Sequence, residues 1–201
     1  MKAIVIDAFG GPDRLRAAEV PTPKASAGEV VIELACTSVN PVDWKIREGM
    51  LSGLFPHTFP LILGWDAAGT VSDTGEAVNE FSVGDRVYAY CRKPTVQWGT
   101  YAEYVAVPAS AVAAMPANLS FAEAAAIPLV GLTSWQVLFD AANLRAGQTV
   151  LIHAGAGGLG SIAIQLAKNA GATVFTTASA ANHEYVRSLG ADHVIDYRTY
   201  S

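Results

Sequence analysis

Thr149-Val150-Leu151-Ile152-His153-Ala154-Gly155-Ala156-Gly157-Gly158-Leu159-Gly160 is the stretch that decides the fold of this chain. It begins as a short apolar run, which is typical of a strand buried on both faces. Its glycines satisfy G-x-G-x-x-G, and an apolar face at helical spacing follows as far as Ala170. This order of strand, glycine turn and helix predicts a dinucleotide-binding unit whose helix N-terminus faces a pyrophosphate. The alternative is a glycine-rich turn that binds no ligand. The predicted phosphate-binding residues are Gly155, Ala156, Gly157, Gly158, Leu159 and Gly160.

The segments around this stretch extend the same α/β pattern. Ser120 and Glu123 form an S-x-x-E capping box that opens an alanine-rich helix, and a second helix is predicted over 131–143. After the glycine turn, further strands are predicted at Thr173–Thr177 and His193–Ile195, with a helix between them. This βαβαβ order is one half of a doubly wound parallel sheet, which has about six strands when complete. We therefore expect the chain to be part of a longer protein.

The N-terminal part has a different character. Short Val- and Ile-rich runs alternate with Gly and Pro, which predicts a small all-β, barrel-like unit. Residues 56–60 are predicted to be a loop, and residues 40–45 a loop or a short helical turn. The overall fold class is therefore α/β, with a β domain over 1–118 and a truncated Rossmann domain over 119–201.

Composition excludes several classes of protein. The chain has 13 basic and 18 acidic residues, for a net charge of −5, and no basic run, so nucleic acid is not predicted as the primary partner. No stretch approaches the roughly 20 apolar residues of a membrane span, and the N-terminal apolar run is too short for a signal peptide. Cys36 and Cys91 have no redox or metal spacing, which favours a reducing cytoplasm.

Seven motifs together carry a family resemblance that covers nearly the whole chain. Each is weak alone, but their order is specific. They are Asn40-Pro41-Val42-Asp43, Gly64-Trp65-Asp66-Ala67-Ala68-Gly69-Thr70-Val71, Val83-Gly84-Asp85-Arg86-Val87, Gly99-Thr100-Tyr101-Ala102-Glu103-Tyr104, Gly131-Leu132-Thr133-Ser134, His153 to Gly160, and Gly190 to Arg198. In these residues the chain resembles the medium-chain dehydrogenase/reductase superfamily, and within it the zinc-independent quinone oxidoreductase (zeta-crystallin-like) and enone reductase branch.

The resemblance implies a GroES-like catalytic domain followed by a Rossmann domain, with the active site in the cleft between them. The family's second Rossmann half and its C-terminal return into the catalytic domain have no counterpart in these residues. The family's oligomers usually pair through a Rossmann edge, so a homo-oligomer is also expected.

The residues argue against a catalytic zinc. Such a site needs about three His, Cys or acidic ligands and an open position. Where the zinc alcohol dehydrogenases carry a cysteine this chain has Asn40, and where they carry a histidine beside an acid it has Trp65 beside Asp66. His57, Asp66 and Cys36 could form only a makeshift site. The prediction is that there is no metal ligand.

Without a Lewis acid, the easier chemistry is hydride delivery to an electron-poor acceptor, either a quinone or an α,β-unsaturated carbonyl, since a few hydrogen bonds suffice for the charge on oxygen. By resemblance Asn40, Asp43 and Trp44 line the substrate side, and Thr133 lies near the nicotinamide. Each also has an ordinary structural interpretation. Asn40 and Asp43 are typical turn residues, Trp44 is a candidate core residue and Thr133 a candidate helix cap. Tyr101 and Tyr104 are interpreted as packing residues.

The end of the second Rossmann strand predicts the cofactor. NAD-specific folds place an acid there to hold the ribose 2′-hydroxyl, but residues 176–183 contain none. Small hydroxyl side chains leave room for a 2′-phosphate, so NADPH is predicted. The residues assigned to the adenosine phosphate are Ser179, Asn182, His183, Tyr197 and Arg198, the family's usual lysine being replaced by Asn182.

Three hypotheses follow. The chain is an NADPH-dependent quinone or enone reductase, a non-catalytic nucleotide-binding or sensor protein on the same fold, or an inactive fragment of the reductase. The residues do not identify the acceptor molecule or the proton donor, because substrate pockets in this branch are apolar.

Overall fold

The computed structural model describes residues 1–199, which form two compact units divided between Pro128 and Leu129. The sequence predicted a boundary after residue 118. The difference arises because the helix Phe121–Ala125 packs on the first unit, where Ala124 and Ala125 share a buried cluster with Ala68 and Met115.

The first unit is built almost entirely from strands. They are β1 (Lys2–Ile6), β2 (Arg16–Glu19), β3 (Glu29–Cys36), β4 (His57–Ile62), β5 (Asp66–Thr74), β6 (Arg86–Tyr90), β7 (Val96–Trp98), β8 (Tyr104–Pro108) and β9 (Val112–Ala114), with helices α1 (Pro41–Arg47) and α2 (Phe121–Ala125). One sheet has the order β2-β1-β4-β7 and the other β8-β3-β5-β6-β9. Val30, Ile32, Val71, Val87 and Val107 are fully buried in the core of the second sheet.

The structure corrects one local prediction in this unit and decides between the two options of another. Residues 56–60 were expected to be a loop, but β4 begins at His57 and pairs with β1 through Val5↔Ile62 and Ile6↔Leu61. Pro56 and Pro60 are local loop signals, whereas the partners of β4 lie far away in sequence. For residues 40–45 the sequence predicts a loop or a short helical turn, and the structure has the second of these, the two-turn helix α1.

The second unit contains the predicted βαβαβ order. It comprises α3 (Pro128–Trp135, beginning at the last residue of the first unit), β10 (Thr149–Ile152), α4 (Gly158–Asn169), β11 (Thr173–Thr177), α5 (His183–Ser188) and β12 (His193–Ile195). The strands form a parallel sheet in the order β10-β11-β12, as expected for half of a doubly wound sheet. Ile164, Val174 and Val186 are fully buried in its core.

The helix predicted over 131–143 is different from the one observed. α3 begins earlier, at Pro128, and the α-helical hydrogen bonding gives way to a π-helical turn at Gln136–Ala141. Proline is accepted at the first position of a helix, because the N–H that it lacks has no intrahelical acceptor there.

Among residues 1–199, no helix is both long enough and apolar enough to span a membrane.

Candidate active site and nucleotide-binding turn

The first group of predicted site residues lies where β3 leads into α1. Asn40 precedes the helix in an extended conformation, and its backbone N–H donates to Asp43 Oδ2 at 2.7 Å. Pro41 occupies the first helical position. A carboxylate in the first turn interacts favourably with the helix N-terminus, so Asp43 fixes both the start of α1 and the backbone of Asn40.

Both NH2 hydrogens of the Asn40 carboxamide are used inside the unit. Its Nδ2 donates to Asp66 Oδ2 at 2.7 Å and to Ser38 Oγ at 2.9 Å. Ser38 Oγ in turn donates to Asp66 Oδ2. Because an amide NH2 has two hydrogens, both are used within this network. Asn40 and Asp66 are buried, so neutral hydrogen-bond donors stabilise a buried carboxyl group.

Tyr101 joins the network from the segment before β8. Its hydroxyl donates to Asp43 Oδ2 at 3.0 Å. Burial raises the pKa of Asp43, although the hydrogen bonds from Asn40 and Tyr101 oppose the shift, and the charge of Asp66 adds to it. Burial and the neighbouring carboxylate of Asp43 together raise the pKa of the Tyr101 hydroxyl above its ordinary value. Tyr101 therefore remains a donor throughout the physiological pH range.

A pair of threonines continues the polar cluster. Thr37 Oγ1 donates to the backbone oxygen of Asp66 at 2.7 Å and lies 2.7 Å from Thr100 Oγ1. Since the Thr37 hydrogen is used, the Thr100 hydroxyl is the donor between them. Side chains thus hold together the segment before α1, the start of β5 and the segment before β8.

The surface around this cluster is apolar. An open groove of about 760 Å³ is lined by residues that include Ile4, Ala17, Val39, Thr100 and Tyr101. Val39 is 81% exposed and Trp44 is 40% exposed, so Trp44 is a half-exposed surface residue rather than a core residue. Asn40 and Asp43 in contrast are buried beneath the surface, and their predicted substrate role remains a prediction.

Of the three residues considered for a makeshift metal site, His57 and Asp66 are engaged with other residues, and Cys36 is a half-buried free thiol. The His57 ring packs against Phe9 and Phe59, with ring centroids 4.7 and 5.6 Å away. Asp66 accepts the hydrogen bonds from Asn40 and Ser38. Throughout the described part of the chain, no group of three or more His, Cys, Asp or Glu side chains could hold a metal ion.

The glycine turn of the second unit connects β10 to α4. A Cβ atom on Gly155 would lie 2.1 Å from Thr176 Oγ1, and one on Gly160 would lie 2.4 Å from Ala154 O. These contacts explain why the first and third glycines permit close packing of turn, strand and helix. Gly158 begins α4, and it is exposed, as are its neighbours Gly157 and Leu159. The first N–H groups of a helix lack intrahelical acceptors, so this exposed turn fits a pyrophosphate.

The residues predicted for the adenosine phosphate follow the next two strands. After β11, Asn182 Nδ2 donates to Ser179 Oγ at 3.3 Å, and His183 Nε2 lies 3.2 Å from Ala178 O. Tyr197 and Arg198 follow β12, where the guanidinium lies 5.7 Å from the Tyr197 ring centroid. β11 and β12 are parallel, so the two groups leave the same edge of the sheet.

Thr133 does not cap a helix, which corrects its structural interpretation. It lies inside α3, and its hydroxyl donates to Leu129 O at 2.7 Å. The neighbouring Ser134 is buried and donates to Leu159 O at 3.3 Å, which links α3 to the first turn of α4. The predicted position of Thr133 near a nicotinamide remains a prediction.

Sequence reasoning missed Tyr101, Ser38 and Thr37 as members of the polar cluster. Tyr101 and Asp43 are 58 residues apart, and nothing local pairs them. The available signal was the co-occurrence of several small polar residues and two acids in separate motifs of the β unit. That pattern indicates a polar cluster only once the strand order is known.

Two family models match the chain. One, the alcohol dehydrogenase GroES-like domain, covers residues 26–117, and the other, the zinc-binding dehydrogenase model, covers residues 158–201. They correspond to the β unit and to most of the parallel sheet.

Curated relatives extend the match over almost the whole chain. A chloroplastic quinone-oxidoreductase homolog of Spinacia oleracea is 40% identical over 205 residues, covering 99% of this chain and 62% of the relative. A chloroplastic NADPH-dependent alkenal/one oxidoreductase of Arabidopsis thaliana is 40% identical, covering 98% of this chain and 52% of the relative. The chain therefore spans only about three fifths of the spinach relative.

The fold agrees with a solved mycobacterial structure. That protein, determined in complex with NADPH, superimposes with a TM-score of 0.86 and is 36% identical, covering 98% of this chain and 59% of the mycobacterial chain. The motifs, the two folds and these matches lead to one conclusion. The chain belongs to the medium-chain dehydrogenase/reductase superfamily, in its quinone and enone oxidoreductase branch.

Proposed function

We propose that the protein to which this chain belongs reduces quinones or α,β-unsaturated carbonyls by hydride transfer from NADPH. The observation that carries the proposal is the exposed glycine turn at the start of α4, combined with the apolar groove and polar cluster of the β unit. The turn supplies a nucleotide-phosphate site, and the apolar surface suits conjugated acceptors of low polarity. Relatives named quinone oxidoreductase and alkenal/one oxidoreductase support the same chemistry.

The proposed cofactor site uses residues that follow the carboxyl ends of the three parallel strands. The nicotinamide dinucleotide, when bound, supplies the hydride. Gly158 and Leu159 would offer backbone N–H groups to the pyrophosphate, and Gly157, which has no side chain, would let it approach the turn closely. Ser179, Asn182 and His183, with Tyr197 and Arg198, would surround the adenosine phosphate. Residues 176–183 include no acid that would repel a 2′-phosphate, which favours NADPH over NADH.

The proposed acceptor site includes Asn40, Asp43 and Trp44, and Thr133 is proposed near the nicotinamide. Trp44 is the member of the first three with an exposed ring, so it would contact the acceptor directly. Asn40 and Asp43 would act from beneath, by holding the start of α1 in place. Since Asn40 Nδ2 already donates twice, it could donate to a substrate oxygen only by releasing Ser38 or Asp66.

We propose that this chemistry needs no zinc. The supporting observation is that the carboxamide of Asn40 and the hydroxyl of Ser38 donate hydrogen bonds to the buried Asp66 carboxyl group. His57 is packed among aromatic rings instead of facing Asp66.

The decisive experiment follows NADPH oxidation with a panel of quinones and enones, using both the 201-residue chain and a full-length protein that contains it. Turnover by the longer protein supports the proposal. Tight NADPH binding without turnover on any acceptor would support a non-catalytic nucleotide sensor instead. The observation that favours this second function is that both NH2 hydrogens of Asn40 already bond within the β unit.

Oligomeric state and compartment are further proposals. We keep the prediction of a homo-oligomer, and light scattering on the 201-residue chain and on a full-length protein that contains it measures the mass of each. In the isolated chain the outer strand β10 has an unpaired edge, which favours association of that chain. The two cysteines are free thiols, and we keep the prediction of a reducing cytoplasm, although relatives with a chloroplastic location exist. Fluorescent tagging of the full-length protein tests that location.

A further inference from the structure

One residue of the glycine turn has an unusual backbone. Ala154 adopts a left-handed conformation with φ +53°, although it is not a glycine. A side chain makes this conformation costly, so something around the residue must stabilise it. Gly157 N–H donates to Ala154 O at 2.9 Å, which means that the geometry of Ala154 determines where the exposed part of the turn lies.

The end of β11 supplies that stabilisation. Thr177 is its last residue, and its Oγ1 accepts the backbone N–H of Ala154 at 2.9 Å. Its backbone oxygen accepts the N–H of the next residue, Gly155, at 3.0 Å. His153 Nδ1 lies 3.5 Å from the same hydroxyl. Side chain and backbone of one threonine thus hold two consecutive amides of the turn.

We propose that Thr177 is a positioning residue for the pyrophosphate-binding turn, acting through Ala154. This inference rests on the proposed nucleotide binding. The sequence grouped Thr177 with the small hydroxyl residues that make room for a 2′-phosphate. Its hydroxyl is instead committed to the turn, so the contact to the phosphate falls to Ser179 and the residues after it.

The proposal predicts a specific pattern of variants. T177V keeps the shape and the backbone oxygen but removes the hydroxyl, and it should weaken NADPH binding about five- to tenfold, the effect of one hydrogen bond. T177S keeps the acceptor and should bind like the wild type. Adding A154G to T177V should restore most of the lost NADPH affinity, because glycine adopts a positive φ without the help of Thr177. T173V, on the same strand, is the matched control.

Calorimetry with NADPH and with 2′-phosphorylated ADP-ribose, which lacks nicotinamide, measures the effect, and both ligands should respond equally. Wild-type affinity in T177V would overturn the proposal. So would a loss in T177V that Ala154→Gly does not restore, since this indicates direct contact between Thr177 and the nucleotide.

A second measurement does not depend on any ligand. The amide hydrogen of Ala154 should exchange slowly in the wild type and in T173V, and much faster in T177V. Unchanged exchange would overturn the proposal. If the wild-type chain binds neither nucleotide but the exchange differs as expected, the proposed nucleotide binding fails while the role of Thr177 in holding the turn is supported.

Discussion

Tyr101 donates its hydroxyl hydrogen to Asp43 Oδ2 across 3.0 Å, and the same oxygen accepts the backbone N–H of Asn40 at 2.7 Å. The residue that precedes α1 and the segment before β8 are therefore held by one carboxylate. Because Asn40 also donates to Asp66, the two buried acids are joined through a single asparagine. Disturbing any one member should affect the others.

Tyr101→Phe should destabilise the β unit by about 1.5–3 kcal/mol, since it removes a hydrogen bond to a buried charged group. Urea denaturation followed by tryptophan fluorescence measures the change. Tyr104→Phe is the matched control, because its hydroxyl donates to the exposed Glu33 and its loss should have little effect. Equal stability of the two variants would contradict the expected role of Tyr101.

Asp43→Asn should change how stability depends on pH. Burial raises the pKa of Asp43 from its ordinary value of 3.8, so the folded state binds this proton more tightly than the unfolded state does. The contribution of Asp43 to stability is therefore fully present below pH 3.8 and is lost as the pH rises through the raised value.

The measurement is the free energy of unfolding of wild type and Asp43→Asn at several pH values. The wild type should lose stability relative to the variant as the pH is raised from about 4 toward neutrality. Adding Tyr101→Phe to the wild type should strengthen this dependence, because the Tyr101 hydroxyl lowers the pKa of Asp43. If the wild type instead gained stability relative to Asp43→Asn as the pH rises, the expected sign would be wrong. Asp66 and Tyr101 are the neighbouring titratable groups that influence Asp43.

The parts of the fold predicted correctly are those specified by neighbouring residues. The run from Thr149 to Gly160 combines strand, turn and helix signals within a few residues, and the Ser120–Glu123 capping box forms as its spacing predicts. β4 was missed because its pairing with β1 connects residues that are far apart, while Pro60 favoured a loop locally. The π-helical turn at Gln136–Ala141 has no local signal either.

In the candidate sites, too, features set by neighbouring residues could be predicted, and features set by contacts between distant residues could not. The glycine turn follows from a local motif, whereas the polar cluster depends on contacts between residues from three segments of the β unit. Asn40 and Asp43 were identified by resemblance alone. Their burial, and the hydrogen bond from Tyr101 to Asp43, follow only from the strand order, which the sequence does not specify directly.

Asn40→Asp should be strongly destabilising at neutral pH. It replaces the donor to Asp66 with a second carboxylate, and two buried like charges cannot both remain ionised. The expected loss is about 3 kcal/mol or more, partly regained at acidic pH where the two carboxylates share a proton. Thermal denaturation at pH 5 and pH 7.5 measures it. Asn118→Asp, an exposed substitution, adds the same charge and should cost little.

Metal removal should have no effect. We expect dialysis against EDTA to leave the melting temperature unchanged, and elemental analysis to find less than one zinc per chain. The reason is that Asp66 accepts hydrogen bonds from Asn40 and Ser38, and the His57 ring packs against Phe9 and Phe59. Stoichiometric zinc that survives dialysis, or a lowered melting temperature after EDTA treatment, would disprove the proposed zinc independence.

Ser179→Asp should lower the affinity for NADPH relative to the affinity for NADH. Ser179 follows β11, where NAD-specific folds carry an acid for the ribose 2′-hydroxyl, and its Oγ already accepts a hydrogen bond from Asn182. A carboxylate there repels a 2′-phosphate, so NADPH should bind about tenfold more weakly, a loss of about 1.4 kcal/mol, while NADH binding is kept or improved.

Ser188→Asp is the control, because it adds the same charge at the exposed end of α5 and should alter neither affinity. Titrations of both nucleotides against wild type and both variants make the comparison. Equal weakening of NADPH and NADH in Ser179→Asp would mean that the substitution disturbs the turn rather than repelling the phosphate, and unchanged NADPH affinity would remove Ser179 from the proposed adenosine-phosphate site.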